Sequence, residues 1–304
     1  MGGRRPQRRV AVVPLGVVRR LAVSALVLQM ALVVSGGAVR VTGSGLGCPS
    51  WPTCTSSSLS TTSELGLHGA IEFGNRLLAV VMEAVGVLLV LAVRRHAPRL
   101  TRLALVQALV VPLQAVIGGL LVLSDLNPYV LILHFLTSFP LVYCAAWLLW
   151  SLSPATASPA ILSPATQAEA SVPPPMRTLS VLLVVSAAAV LVLGTLVTGT
   201  GPHAGDPDVE RLPFNPLTVT RLHTDAVYVL VGLVLAALAL TWGTSLRRWA
   251  LLLAALVLGQ GALGYWQYFH GVPPFAVAVH VAGATAVFTT AVWLQLSSRR
   301  TTPA

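Results

Sequence analysis

Apolar residues gather along this chain into runs of about 20, each enough to cross roughly 30 Å of hydrocarbon at about 1.5 Å per helical residue. Polar segments separate them. Eight runs can be bounded, at 21–41, 67–93, 103–124, 130–152, 178–200, 218–243, 250–270 and 275–297. The pattern predicts an all-α integral membrane protein with eight transmembrane helices.

The runs repeat. Gln114, Gly118 and His134 are spaced as Gln260, Gly264 and His280 are, each glutamine 20 positions before its histidine. Thr42-Gly43-Ser44-Gly45 near the end of the first run is answered by Thr198-Gly199-Thr200-Gly201 near the end of the fifth. Four helices per half inserted with the same hand make a parallel repeat about an axis along the membrane normal, two pseudo-twofold-related four-helix bundles. The expected units are a basic arm at 1–20, an N-terminal half at 21–152, a linker at 153–177, a C-terminal half at 178–297 and a tail at 298–304. The linker is a Ser, Pro and Ala tract with little to bury.

Composition agrees with the pattern. Hydrophobic residues are 55% of 304 and charged residues 9%, with mean hydropathy +0.81, far from a soluble balance. The charge orients the bundle. All 19 basic residues are arginine and they flank the apolar runs, so the net charge of +10 does not form a nucleic-acid surface. Arg4, Arg5, Arg8, Arg9, Arg19 and Arg20, then Arg94, Arg95, Arg99 and Arg102, then Arg177, Arg247, Arg248, Arg299 and Arg300 fall on one side. By the positive-inside rule both termini are cytoplasmic. The first run is long and lacks a small-residue cleavage site, so it reads as an uncleaved anchor.

Candidate chemistry lies in the histidines. His134 stands six residues beyond Pro128, His280 six beyond Pro274 and His223 seven beyond Pro216, which sets all three about 10 Å inside the outer ends of their helices. Two imidazoles facing each other across a bundle suit heme iron. Zinc is disfavoured, because no helix carries a paired-histidine spacing and no thiolate cluster lies at this depth. Gly118 and Gly264 permit close approach of a helix or of a flat macrocycle; Gln114 and Gln260 can hydrogen-bond such a ring.

The second helix of the first half carries a polar face, His68, Glu72 and Arg76 at i, i+4 and i+8, with Asn75 on the same stripe. A carboxylate inside the membrane costs about 2.5 to 3.5 kcal/mol on insertion scales, so Glu72 faces the interior, either paired with Arg76 or functional. Glu83, three turns further on, can extend a proton path or pack against a polar partner. Cys48 and Cys54 flank five residues of the first outer loop, as a structural staple or a redox-active pair. Cys144 reads as a small buried apolar residue, and His96, His203 and His270 as solvated.

These residues resemble the heme A synthase family. The resemblance is carried by Gly43-Ser44-Gly45-Leu46-Gly47-Cys48, Trp51-Pro52-Thr53-Cys54, Ile71-Glu72-Phe73, Gln114-Ala115-Val116-Ile117-Gly118-Gly119 and Leu133-His134-Phe135. It implies oxidation of the heme O methyl group to the formyl group of heme A, by successive hydroxylations and loss of water. It further implies His223 and His280 as ligands of a heme b cofactor, His134 on the substrate iron, Glu72 as the essential carboxylate and a Cys48–Cys54 disulfide. The implied setting is a bacterial plasma membrane, with a heme O synthase and a membrane electron acceptor as partners, and a homo-oligomer as the assembly. One position departs from the family pattern, which has histidine three residues after the glutamate; here it is Asn75, followed by Arg76. Either His68 replaces that ligand, with Arg76 also at the substrate heme, or His134 holds the iron alone. Two rivals remain: a quinone-linked diheme electron-transfer protein, which leaves Glu72 and the cysteines unexplained, and a repeat-built transporter with proton-relay histidines, which predicts no heme.

Overall fold

The computed structural model describes residues 14–153, 173–202 and 209–299. The linker residues 154–172, His203, the first four arginines of the basic arm and Arg300 therefore lie outside the described residues. Helices are the only regular elements among those described: α1 (Leu15–Val41), α2 (Gly66–His96), α3 (Thr101–Leu123), α4 (Pro128–Leu136), α5 (Ser138–Ser151), α6 (Pro174–Thr200), α7 (Pro216–Leu240), α8 (Arg247–Phe269) and α9 (Pro274–Ser298), with single 3-10 turns before α2 and α3. They supply eight spans long and apolar enough to cross a membrane, with α4 and α5 sharing one. The spans match the expected eight, although α1 and α6 begin earlier, at Leu15 and Pro174.

The expected continuous fourth span is interrupted at Thr137, between α4 and α5. The cause is in the sequence. Pro140 has no N–H to give the Leu136 carbonyl, and its ring crowds that oxygen. The matching position in α9 is Ala286, and α9 runs unbroken through it.

Four helices, α4, α6, α7 and α9, open with proline in the first turn, where a missing N–H costs nothing. Asn127 caps α4 by accepting from the N–H groups of Tyr129 and Val130, and Asn215 caps α7 by accepting from that of Thr218. Pro273-Pro274 opens α9. Helices α4, α7 and α9 bear His134, His223 and His280, so the similar distance from proline to histidine fixes a similar depth for each.

The repeat extends to the backbone. In the turn after α3, Asp125 and Leu126 have φ of 51° and 60°; in the turn after α8, Gly271 and Val272 have 71° and 55°. Each turn closes with the same bond, Leu126 N–H to Leu121 O at 2.9 Å and Val272 N–H to Gln267 O at 2.8 Å. Leucine, aspartate and valine accept a left-handed conformation here because the bond satisfies a helix-end carbonyl.

Helix α1 packs on α2 and α5, and α3 on α2 and α5; in the second half α6 packs on α7 and α9, and α8 on α7 and α9. The halves meet where α1 and α5 lie on α9 and α4 lies on α6. One apolar core straddles this seam, from Leu26, Phe139 and Val142 to Leu183, Val287 and Phe288. Phe135, Phe139 and Phe288 cross it edge to face, with centroids 5.2 Å apart at each step. Tyr143 donates across it to Gln295 Oε1 at 2.9 Å.

Candidate functional site

The first site forms where the loop after α1 folds onto α2 and α3. Cys48 and Cys54 are joined in a disulfide with Cα atoms 4.4 Å apart, and both are fully buried. Glu72, one turn and a half into α2, is 5% exposed. Its Oε2 accepts the backbone N–H of Cys48 at 2.6 Å, and its Oε1 is paired with Arg76. Arg76 donates onward to the carbonyls of Ser50 at 3.0 Å, Thr53 at 3.2 Å and Cys48 at 3.2 Å. The ion pair read from the i, i+4 spacing exists, and it does more than satisfy itself. Its spare donors and acceptor hold the disulfide loop.

That loop carries Trp51 onto α3. A Cβ placed on Gly119 would fall inside the indole, so only glycine allows this approach. On the neighbouring residue, Gly118, a Cβ would stand 3.4 Å from Cε1 and 3.7 Å from Nε2 of His134. Consecutive glycines of α3 thus receive the indole and the imidazole on faces about 100° apart.

The glutamine of the repeated phrase acts differently from what its spacing suggested. Gln114 donates from Nε2 to the carbonyl of His134 at 3.1 Å and to Ser138 Oγ at 3.0 Å, and accepts from Thr137 Oγ1 at 2.9 Å. Thr137 and Ser138 hydroxyls also donate to the same carbonyl, at 3.1 and 3.3 Å. Gln114 is therefore a staple across the break at Thr137. Its counterpart Gln260 faces Gly283, and Gly283 and Ala284 stand in register with Thr137 and Ser138 but carry no hydroxyl; its buried Oε1 has no hydrogen-bond partner among the described residues.

In the C-terminal half, His223 Nδ1 bonds the Val190 carbonyl of α6 at 3.1 Å. Since a carbonyl only accepts, Nδ1 carries the proton and Nε2 is left with its lone pair. A Cβ on Gly194 would stand 3.3 Å from His223 Cε1, and one on Gly264 would stand 3.6 Å from His280 Cε1. His223 and His280 lie within electrostatic range of each other. His280 Nδ1 and His134 Nδ1 are buried without partners. The donor set, two neutral imidazoles on opposed helices beside glycines, fits a flat macrocycle held by axial nitrogens, and no cluster of three or more His, Cys, Asp or Glu able to hold a metal ion occurs among the described residues.

His68 and Asn75 occupy different levels. His68, exposed in the first turn of α2, is bonded through Nδ1 to Ser44 Oγ of the loop after α1 at 2.9 Å. Asn75 lies deeper, and its Oδ1 accepts from Ser35 Oγ of α1 at 2.6 Å. Ser35 precedes Thr42-Gly43 by seven residues (42 − 35), and Val190 precedes Thr198-Gly199 by eight (198 − 190). Asn75 therefore touches the first helix of its half at the depth where His223 touches the first helix of the other. Glu83 has a buried Oε2 with no partner, and Cys144 is a half-buried free thiol. His96 ends α2, half-exposed, and His270 is exposed and stacked on Trp266.

The sequence reading missed Trp51 and Gly119 as a contact. The signal was the doubled glycine Gly118-Gly119, since the second half has Gly264 followed by Tyr265.

Residues 19–204 match the family COX15-CtaA, described as cytochrome oxidase assembly protein. Over 195 residues the chain is 30% identical to a heme A synthase of Rhizobium etli, covering 56% of this chain and 50% of that protein. It is 34% identical over 112 residues to a heme A synthase of Geobacillus thermodenitrificans, covering 36% of this chain and 34% of that one. A heme A synthase of Geobacillus kaustophilus is 33% identical over 110 residues, covering 34% and 32%. The matched stretches span about a third to a half of these relatives' lengths. The family match ends before His223, so the C-terminal pair stands on its geometry.

Proposed function

The chain belongs to the family of cytochrome oxidase assembly proteins that its residues 19–204 match, and from that premise we propose that it is a heme A synthase. It oxidises the methyl group of heme O to the formyl group of heme A, an oxidoreductase acting on a CH group. The observation that carries this reading is the pair of buried Glu72 with half-buried Arg76, locked to the disulfide loop whose Trp51 reaches the helix facing His134.

In this reading the N-terminal half takes heme O, with His134 on the substrate iron and His68 and Arg76 at its outer side. Ser44 holds the His68 ring through Nδ1, leaving Nε2 open. Glu72 is the essential carboxylate. Fixed by Arg76 and the Cys48 N–H, it can stabilise positive charge developing on the attacked carbon, and the second lone pair of Oε2 can accept a proton while both donors stay bound. The buried, apolar setting keeps such a charge interaction from being screened by water.

His223 and His280 would hold heme b. That group supplies one-electron transfer, and the chain's part is to present two nitrogens: Val190 sets the His223 tautomer, and Gly194 and Gly264 leave room beside the rings. The electron acceptor is membrane-borne, both termini are cytoplasmic, and a heme O synthase delivers the substrate, in keeping with a multi-pass protein of a bacterial cell membrane. A diheme carrier would need a second strong ligand at the level of His223, where the first half has Asn75.

The test is co-expression with a heme O synthase, followed by extraction and chromatography of the pigments. We expect heme A. Accumulation of heme O beside intact protein, without heme A, would overturn the function.

A further inference from the structure

We propose that Trp51 is a substrate-contacting residue: its indole forms one wall of the heme O site beside His134, and Glu72 and Arg76 act as positioning residues that hold it there. This rests on the reading of the N-terminal half as the heme O site.

Three observations lead to it. Trp51 is seated against Gly119 while His134 is seated against Gly118, so the indole and the imidazole meet α3 at adjacent residues, on faces about 100° apart. Trp51 is only half-buried, which leaves part of its ring surface uncovered by protein. The loop bearing it is closed at both ends by the Cys48–Cys54 disulfide and tied to α2 at three carbonyls and one N–H. A large aromatic group fixed to that degree beside a histidine is suited to pack on a flat macrocycle.

The second half supports the assignment by contrast. Tyr265 stands where Gly119 stands, its hydroxyl bonded to that of Tyr228, and the chain has no second cysteine pair. Only one of the two histidine hairpins has room for an indole, and it is the one assigned to the group that must be chosen and released.

Glu72 then acts through the loop. Replacing it removes the acceptor of the Cys48 N–H and the partner of Arg76 together, and Trp51 loses its seat.

The test uses the full-length protein in detergent, titrated with heme O and followed by difference absorbance, with heme b content as the folding control. Trp51→Ala should weaken heme O binding about tenfold, the scale of one lost aromatic contact, and Trp51→Phe should recover part of it. Gly119→Ala leaves Trp51 in place but displaces its ring, and should weaken binding in the same way. Glu72→Ala, which leaves no acceptor for the Cys48 N–H, should raise the rate at which a mild reductant and alkylating agent label Cys48 and Cys54, and should weaken heme O binding too. Unchanged heme O affinity in Trp51→Ala and Gly119→Ala, with heme b retained and wild-type protein still making heme A, overturns the proposal. Glu72→Ala that abolishes conversion with unaltered labelling and binding overturns the positioning role and leaves Glu72 acting on the reacting carbon alone.

Discussion

Asn75 accepts a hydrogen bond from Ser35 at 2.6 Å, and this contact occupies, in the first half, the level at which His223 bonds Val190 in the second. Two hairpins built on one plan thus present different groups at one depth. Amide oxygen is a poor iron ligand; imidazole is a strong one.

Asn75→His should therefore supply a second axial nitrogen opposite His134. The variant, loaded with heme O, should show a new low-spin component in its absorbance and electron paramagnetic resonance spectra. The lost Ser35 bond costs about 1 kcal/mol, too little to unfold the bundle. An unaltered spin state would mean that Asn75 lies off the iron axis.

The C-terminal histidines give a cleaner case. His223→Ala or His280→Ala should each deplete heme b, measured as pyridine hemochrome in protein made without a heme O synthase. His134→Ala should leave that heme in place. Loss of heme b in His134→Ala and not in the other two would reverse the assignment of the halves.

How much of this was readable beforehand depends on range. The spans and the proline-to-histidine distances are local, because length, apolarity and a first-turn proline are properties of contiguous residues, and the structure keeps them. The Glu72–Arg76 pair was legible for the same reason. Its bonds to Cys48, Ser50 and Thr53 were not, since they join a helix to a loop more than 20 residues away. The break at Thr137 was visible in Pro140 and was overlooked, because an apolar count treats proline as filler. Gln114 and Gln260 share a spacing and differ in surroundings. Identical spacing cannot say that one meets Thr137 and Ser138 while the other meets Gly283.

That asymmetry has a measurable consequence. Gln114→Leu removes two donors and an acceptor at the helix break, whereas Gln260→Leu removes a buried oxygen that has no partner among the described residues. Thermal unfolding in detergent should show Gln114→Leu destabilised by about 1–3 kcal/mol, the cost of stranding buried polar groups, with Gln260→Leu near neutral. Equal losses in the two variants would show that Gln260 has a partner in the working protein, and would point to the macrocycle itself.

The glycines beside the C-terminal imidazoles test how closely the second site is fitted. A Cβ at Gly194 would come to 3.3 Å from His223 Cε1, tighter than ordinary contact, while one at Gly264 would come to 3.6 Å from His280 Cε1, within it. His223 cannot yield freely, because turning the ring breaks its bond to Val190. Gly194→Ala should therefore shift the heme b midpoint potential and speed heme loss to apomyoglobin. With protein contacts alone Gly264→Ala should do neither, since the histidine has room. If Gly264→Ala is instead the more damaging of the two, the added methyl must be meeting the macrocycle, and that glycine then marks where the ring passes along α8.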